Sequence, residues 1–140
     1  LSQKAQKKIF VKTSEEIQKT LESSHFKKIF DGVKEIQTEY SVVSLEGNSL
    51  IKGELDLVLH YESGDILILD YKTSEVGGSL ENSFLKEFCF EKGYHRQLGL
   101  YARALRKIFP DKKVRGGVWL TKIQEFVELV SDTPQRVVLY

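Results

Sequence analysis

The sequence predicts an α/β domain in which helices flank a central mixed β-sheet. Two stretches carry apolar residues at helical spacing, residues 14–30 and 91–109, and the region between them is rich in apolar and β-branched runs. Helical and strand patterns that alternate along one chain are typical of a sheet covered by helices. Of the 140 residues, 41% are hydrophobic, which is enough apolar chain for one core. We therefore expect residues 1–140 to form a single domain.

Both helices are predicted from ladders of apolar residues. In the first, from residue 14 to residue 30, the ladder consists of Ile17, Leu21, His25 and Ile29. Because His25 lies on this ladder, we expect its ring to pack on the apolar face. In the second, over residues 91–109, the recurring residues are Tyr94, Leu98, Tyr101, Ala102, Leu105 and Ile108.

A hairpin of two strands joined by a tight turn is predicted from Gly53 to Thr73. Glu62-Ser63-Gly64 supplies a three-residue loop, with Gly64 in the left-handed conformation that such loops require. Further strands are predicted at residues 36–43, 114–121 and 125–130. The strands on both sides of the second helix then belong to one mixed sheet.

The register of the hairpin decides where its charged side chains lie. If Tyr61 pairs with Asp65, counting back along both strands sets Asp56 opposite Asp70, with Cβ atoms about 5 Å apart. Two carboxylates this close raise each other's pKa unless a cation lies between them, either Lys72 or a divalent metal. The alternative is that both aspartates end their strands in water and Lys72 forms a weak surface salt bridge. The apolar run that precedes Asp70 favours a buried site.

Three motifs in this order resemble a known family. They are Gly53-Glu54-Leu55-Asp56, Asp70-Tyr71-Lys72-Thr73 and, on the second helix, Gln97-Leu98-Gly99-Leu100-Tyr101. Together they resemble the RecB-like branch of the PD-(D/E)XK nucleases, found at the end of RecBCD- and AddAB-type helicase-nucleases. The resemblance covers residues 39–121. It implies a restriction-endonuclease-like core.

The resemblance also implies roles for particular residues. Asp56, Asp70 and the backbone carbonyl of Tyr71 would bind Mg²⁺, with Mn²⁺ as a substitute, and Glu39 and His25 are further candidate ligands. Lys72 would orient the attacking water or stabilise the transition state, and Gln97 and Tyr101 would hold phosphate or water. Glu39 is equally well explained as an edge-strand charge. The metal-binding histidine typical of the family is expected before Leu1.

The expected function is that of a Mg²⁺-dependent deoxyribonuclease, an exodeoxyribonuclease V-like exonuclease in DNA repair and recombination. The partners implied are DNA, the rest of a longer helicase-nuclease chain of which residues 1–140 are a fragment, and a second subunit. The net charge of +1 means that DNA affinity must come from local basic clusters. No stretch approaches the ~18 apolar residues of a membrane span. The single cysteine, Cys89, excludes an internal disulfide and fits a cytoplasmic location.

Two other readings remain open from the residues alone. The first is a catalytically inactive nuclease-like fold that serves as a DNA-binding or scaffolding module. The second is a different metal-dependent phosphoesterase, in which the pairing of Gln97 with Tyr101 is a coincidence. The presence of Asp56, Asp70 and Lys72 together favours the nuclease.

Overall fold

The structure is a computed structural model that describes residues 14–78 and 80–131. In chain order its elements are α1 (Ser14–Glu22), α2 (Ser24–Ile29), β1 (Val33–Glu46), β2 (Ser49–Tyr61), β3 (Ile66–Lys72), α3 (Asn82–Glu91), α4 (Tyr94–Ile108), β4 (Val114–Leu120) and β5 (Glu125–Val130). The strands of these residues form one sheet in the order β1-β2-β3-β4-β5. The β3–β4 pair is parallel and the other neighbours are antiparallel. The predicted mixed sheet flanked by helices is confirmed.

The sheet is buried on both faces where β3 runs through it. On one face Ile68 packs with Leu98 and Leu105 of α4, and on the other Leu69 packs with Phe26 of α2. A strand covered on both sides has no polar face, which explains its continuous apolar run. Asp70 therefore emerges directly from the core. None of the helices in the described part of the chain is long and apolar enough to cross a membrane.

The hairpin of β2 and β3 has the predicted register. Gly64 is left-handed, with φ of 95°, and the Tyr61 backbone N–H donates to the Asp65 carbonyl at 3.0 Å. The paired residues run from His60 and Ile66 to Leu57 and Leu69. One step further along both strands lie the two aspartates of the predicted pair.

The prediction of one continuous helix over residues 14–30 was wrong, because the chain forms two helices, α1 and α2, separated at Ser23. The Ser23 hydroxyl accepts a hydrogen bond from the Phe26 backbone N–H at 3.3 Å and so caps a new helix. This restart gives the buried position to Phe26 and leaves His25 exposed. The expectation that His25 packs on an apolar face was wrong for that reason.

A buried hydrogen bond ties α1 to the sheet. Thr20 is fully buried, and its hydroxyl accepts from Trp119 Nε1 at 3.1 Å and from Gln124 Nε2 at 2.9 Å. Replacing Thr20 by valine keeps the shape but leaves the indole N–H without this acceptor. We expect this to lower the free energy of unfolding by about 1–3 kcal/mol, as measured by urea denaturation. Thr20→Ser keeps the oxygen, and a loss as large as that of the valine variant would contradict the role of this bond.

Candidate active site

The two aspartates lie at the point where β2 and β3 stop pairing. The last pair of the ladder joins Leu57 to Leu69, and Asp56 and Asp70 follow it. Asp56 Oδ2 accepts a hydrogen bond from the Tyr71 backbone N–H at 2.8 Å, so a side chain continues the ladder where the strands separate. Asp70 is only 6% exposed. The pair is thus positioned by the strands themselves.

The charges of both aspartates affect the pKa of the Tyr71 phenol. Burial raises the pKa of the Tyr71 phenol well above its usual range, and the negative charges of Asp56 and Asp70 add to the rise. Both carboxylates therefore act on one buried side chain.

Lys72 contacts Asp70 of this pair. Its Nζ lies 3.0 Å from Asp70 Oδ2, donates to Gln97 Oε1 at 3.3 Å and sits 4.7 Å from the centre of the Tyr94 ring. The side chains of Lys72 and Asp70 are 21% and 9% exposed. The salt bridge of the alternative interpretation is present, but Asp70 does not lie in open water. An ammonium group held by an anion, an amide oxygen and an aromatic face has a defined position.

Helix α4 brings the third motif to the same place. Gln97 and Tyr101 are one helical turn apart, and Gln97 Nε2 donates to the Tyr101 hydroxyl at 3.4 Å. That hydroxyl lies only 1.9 Å from the position that a Cβ on Gly53 would occupy. Glycine at the start of the Gly-x-x-Asp motif therefore makes room for the tyrosine. The three motifs that are separate in sequence meet through Lys72, Gln97 and Tyr101.

Two residues at the site were missed from the sequence. Tyr94 was interpreted only as part of the apolar ladder of its helix, yet its ring lies beside the Lys72 ammonium. The Tyr94 hydroxyl shares a hydrogen bond with the Ser74 side chain. The available signal was spacing, since residues three apart on a helix share a face and Tyr94 precedes Gln97 by three.

Glu39 and His25, the two further candidate metal ligands, are both exposed. Glu39 lies opposite Asp56 on β1, because Thr38 pairs with Leu57 and Tyr40 pairs with Leu55. The Glu39 side chain is exposed, and its backbone is left-handed with φ of 52°. His25 is exposed on α2. Within residues 14–78 and 80–131, no three His, Cys, Asp or Glu side chains are grouped so that they could hold a metal ion. Metal binding by Glu39 and His25 stays a prediction, as does a histidine before Leu1.

The donor set of the two aspartates is suited to Mg²⁺. This ion is commonly held by one or two carboxylates, with water and substrate phosphates completing its shell. Asp56 and Asp70, one step past the last ladder pair, supply two carboxylates. The residues present therefore fit a magnesium site of this kind, and the backbone carbonyl of Tyr71 stays a predicted ligand.

Comparison with known proteins agrees with this geometry. Residues 2–137 match the PD-(D/E)XK nuclease superfamily. The chain belongs to this superfamily. Proteins of the superfamily generally use divalent metal ions, and the mixed sheet with flanking helices is consistent with its restriction-endonuclease-like fold.

Relatives of the nuclease domain come from two Listeria species. Over 73 residues, or 52% of the chain, it is 33% identical to an ATP-dependent helicase/nuclease subunit of Listeria monocytogenes. Over 73 residues it is 32% identical to the protein of the same name from Listeria innocua. The match spans 6% of the length of each relative. Membership and relatives together support a nuclease role for the domain.

Proposed function

We propose that this nuclease domain hydrolyses phosphodiester bonds in DNA in a Mg²⁺-dependent reaction. The observation that carries the proposal is the placement of Lys72 between Asp70 and Gln97, with Asp56 and Asp70 both one step past the last pair of the β2–β3 ladder. A module that only binds DNA or acts as a scaffold does not require a lysine bonded to one of two neighbouring aspartates. Phosphodiester hydrolysis needs both negative charge to hold a cation and a donor near the scissile phosphate.

The chain's own residues have distinct tasks in this reaction. Asp56 and Asp70 would hold Mg²⁺, which would supply Lewis-acid stabilisation of the phosphate and would lower the pKa of the attacking water. Lys72 donates hydrogen bonds to the attacking water or to a phosphate oxygen as charge develops there. The Gln97 carbonyl oxygen fixes the direction of the ammonium group, and its amide group is in turn bonded to the Tyr101 hydroxyl.

The relatives support a proposal for the wider role of the domain. Both are named as part of a helicase/nuclease, and the chain corresponds to a small part of each. We propose that the domain acts as the exonuclease of a longer helicase-nuclease chain, of exodeoxyribonuclease V type, in DNA end processing during repair and recombination. A cytoplasmic location and a second subunit belong to the same proposal.

Metal-dependent stability tests the acidic pair directly. We expect Mg²⁺ and Mn²⁺ to raise the thermal stability of the unaltered protein, by about 2.7 kcal/mol at a hundredfold excess over Kd. Asp70→Asn should abolish this rise, because it removes one carboxylate ligand. Repulsion between the aspartates alone would make the metal-free variant more stable. Since Lys72 already pairs with Asp70, we expect no such gain.

A matched control is available at the other end of β3. Asp65→Asn makes the same chemical change next to the turn, away from the acidic pair, and should keep the full response to metal. Cleavage of single- and double-stranded DNA is measured on the same samples. If the unaltered protein neither responds to metals nor cleaves DNA, then either the histidine expected before Leu1 is an essential metal ligand or the domain is an inactive DNA-binding module. A longer chain that includes this histidine and still does not cleave would contradict the catalytic proposal.

A further inference from the structure

Tyr94, at the start of α4, contacts the segment that carries Lys72 through both its ring and its hydroxyl. The ring centre lies 4.7 Å from Lys72 Nζ, and the hydroxyl shares a hydrogen bond with the Ser74 side chain. Ser74 follows Lys72 by two residues, so one stretch of backbone bears both the ammonium group and the hydroxyl that holds the ring. The ring is thereby held by its own helix at one end and by Ser74 at the other.

The contacts of Lys72 Nζ with Asp70, Gln97 and Tyr94 differ in what else can use each partner. Asp70, at 3.0 Å, is also a proposed metal ligand, so a bound Mg²⁺ would draw on the same carboxylate. Gln97 accepts at 3.3 Å, but this residue is exposed, so water competes for its amide oxygen. The Tyr94 ring attracts the positive charge through its π-electrons and is not a ligand for the metal. The ring is therefore the contact least affected by a bound metal or by water.

Packing alone does not account for a tyrosine at position 94. Its partly buried ring packs against the core cluster that includes Leu98, as the apolar ladder of α4 predicts. A leucine at position 94 would satisfy this ladder equally well. It would offer neither a ring face to the ammonium group nor a hydroxyl to Ser74. These contacts indicate a role that requires an aromatic ring.

We propose that Tyr94 is a positioning residue of the cleavage reaction, whose ring keeps the Lys72 ammonium group within reach of the attacking water or the scissile phosphate. The inference rests on the proposed function, because Tyr94 acts through the role of Lys72 in that reaction. Tyr94 itself is assigned no contact with substrate or metal. Ser74 supports the same arrangement, since its hydrogen bond orients the ring.

Steady-state cleavage of a fluorescein-labelled oligothymidylate in Mg²⁺ tests this role. Tyr94→Leu should lower kcat by about tenfold and leave KM within about twofold, because the lysine is present but less well placed. Tyr94→Phe keeps the ring and loses the hydroxyl bond to Ser74, so its kcat should stay within about threefold of the unaltered value. Stabilisation by Mg²⁺ should be the same in both variants, because Asp56 and Asp70 are unchanged.

Tyr61→Leu is the control for a purely structural loss. Tyr61 is also a partly buried tyrosine, its hydroxyl donates to the Ile29 carbonyl, and it lies at the end of β2, beside the turn to β3. This variant should melt at a lower temperature and keep the kcat of the unaltered protein. All rates are measured below the melting temperature of every variant.

A double-mutant cycle with Lys72→Met shows whether Tyr94 acts through the lysine. In the Lys72→Met background, Tyr94→Leu should change kcat by less than about twofold, because no ammonium group is left to position. A loss of kcat as large as that in the unaltered background would overturn the inference, since the ring would then matter without the lysine.

The contact itself is measured without cleavage, by NMR of the lysine Hε signals. The ring current of Tyr94 should shift the Lys72 Hε signal upfield, and Lys72→Met identifies this signal by removing it. The shift should remain in Tyr94→Phe and disappear in Tyr94→Leu. If Tyr94→Leu keeps the shift, or cleaves with the kcat of the unaltered protein, the inference is overturned. If the shift depends on Tyr94 but no variant cleaves DNA, the contact is supported and only the proposed cleavage by residues 1–140 fails.

Discussion

Replacing Lys72 by methionine is expected to slow DNA cleavage by about 10²–10³-fold. Methionine has a similar unbranched side chain but no ammonium group, which in Lys72 contacts Asp70 and Gln97. Asp56 and Asp70 remain, so stabilisation by Mg²⁺ should persist. Initial cleavage rates and metal-dependent melting curves of the same variant therefore separate catalysis from metal binding.

The control for this variant is Lys122→Met, which removes a lysine that pairs with Glu75 at 3.9 Å. It should cleave at the rate of the unaltered protein. Lys72→Arg keeps the positive charge but is a poor proton donor or acceptor, because a guanidinium stays protonated. Activity in the arginine variant would indicate electrostatic stabilisation, and its absence would indicate proton transfer. Cleavage by Lys72→Met within twofold of the unaltered rate would contradict the role of Lys72.

Adding one methyl group at Gly53 is expected to damage both stability and cleavage. The new Cβ would lie 1.9 Å from the Tyr101 hydroxyl and 2.4 Å from its Cζ, and Tyr101 is only 6% exposed. Since the ring has little room to move, we expect Gly53→Ala to lower the free energy of unfolding by about 1–3 kcal/mol. Displacement of Tyr101 would also disturb its bond to Gln97. Thermal melting and initial cleavage rates measure the two effects.

A double-mutant cycle shows whether the clash is with the tyrosine. In the Tyr101→Ala background the methyl group at Gly53 should cost much less, so the two changes should not be additive. Gly77→Ala is the matched control, because a Cβ there would meet nothing within 4 Å. Additive effects of Gly53→Ala and Tyr101→Ala would show that the close contact is not the cause.

The acidic pair could be predicted from the sequence because its causes are local. Strand alternation and the three-residue turn with Gly64 fix the register, and the register alone brings Asp56 next to Asp70. The four-residue ladder near the start of the chain was misleading for a local reason too. Ser23 is a good N-cap residue, and its hydrogen bond to Phe26 restarts the helix inside the ladder.

Contacts between distant segments could not be predicted in the same way. The ring of Tyr94 beside Lys72 depends on where α4 crosses the sheet, which no local pattern specifies. The close approach of Tyr101 to Gly53 has the same origin.

The lengths of the connections indicate the order in which the parts of the site come together during folding. A three-residue turn brings Asp56 and Asp70 together, whereas Gln97 and Tyr101 arrive only through the long crossover between the parallel strands β3 and β4. Because closing a long loop costs more entropy than closing a short one, local contacts tend to form first. We therefore expect Asp56 and Asp70 to be brought together early in folding. We expect α4, whose Gln97 accepts a hydrogen bond from Lys72, to pack against the sheet later.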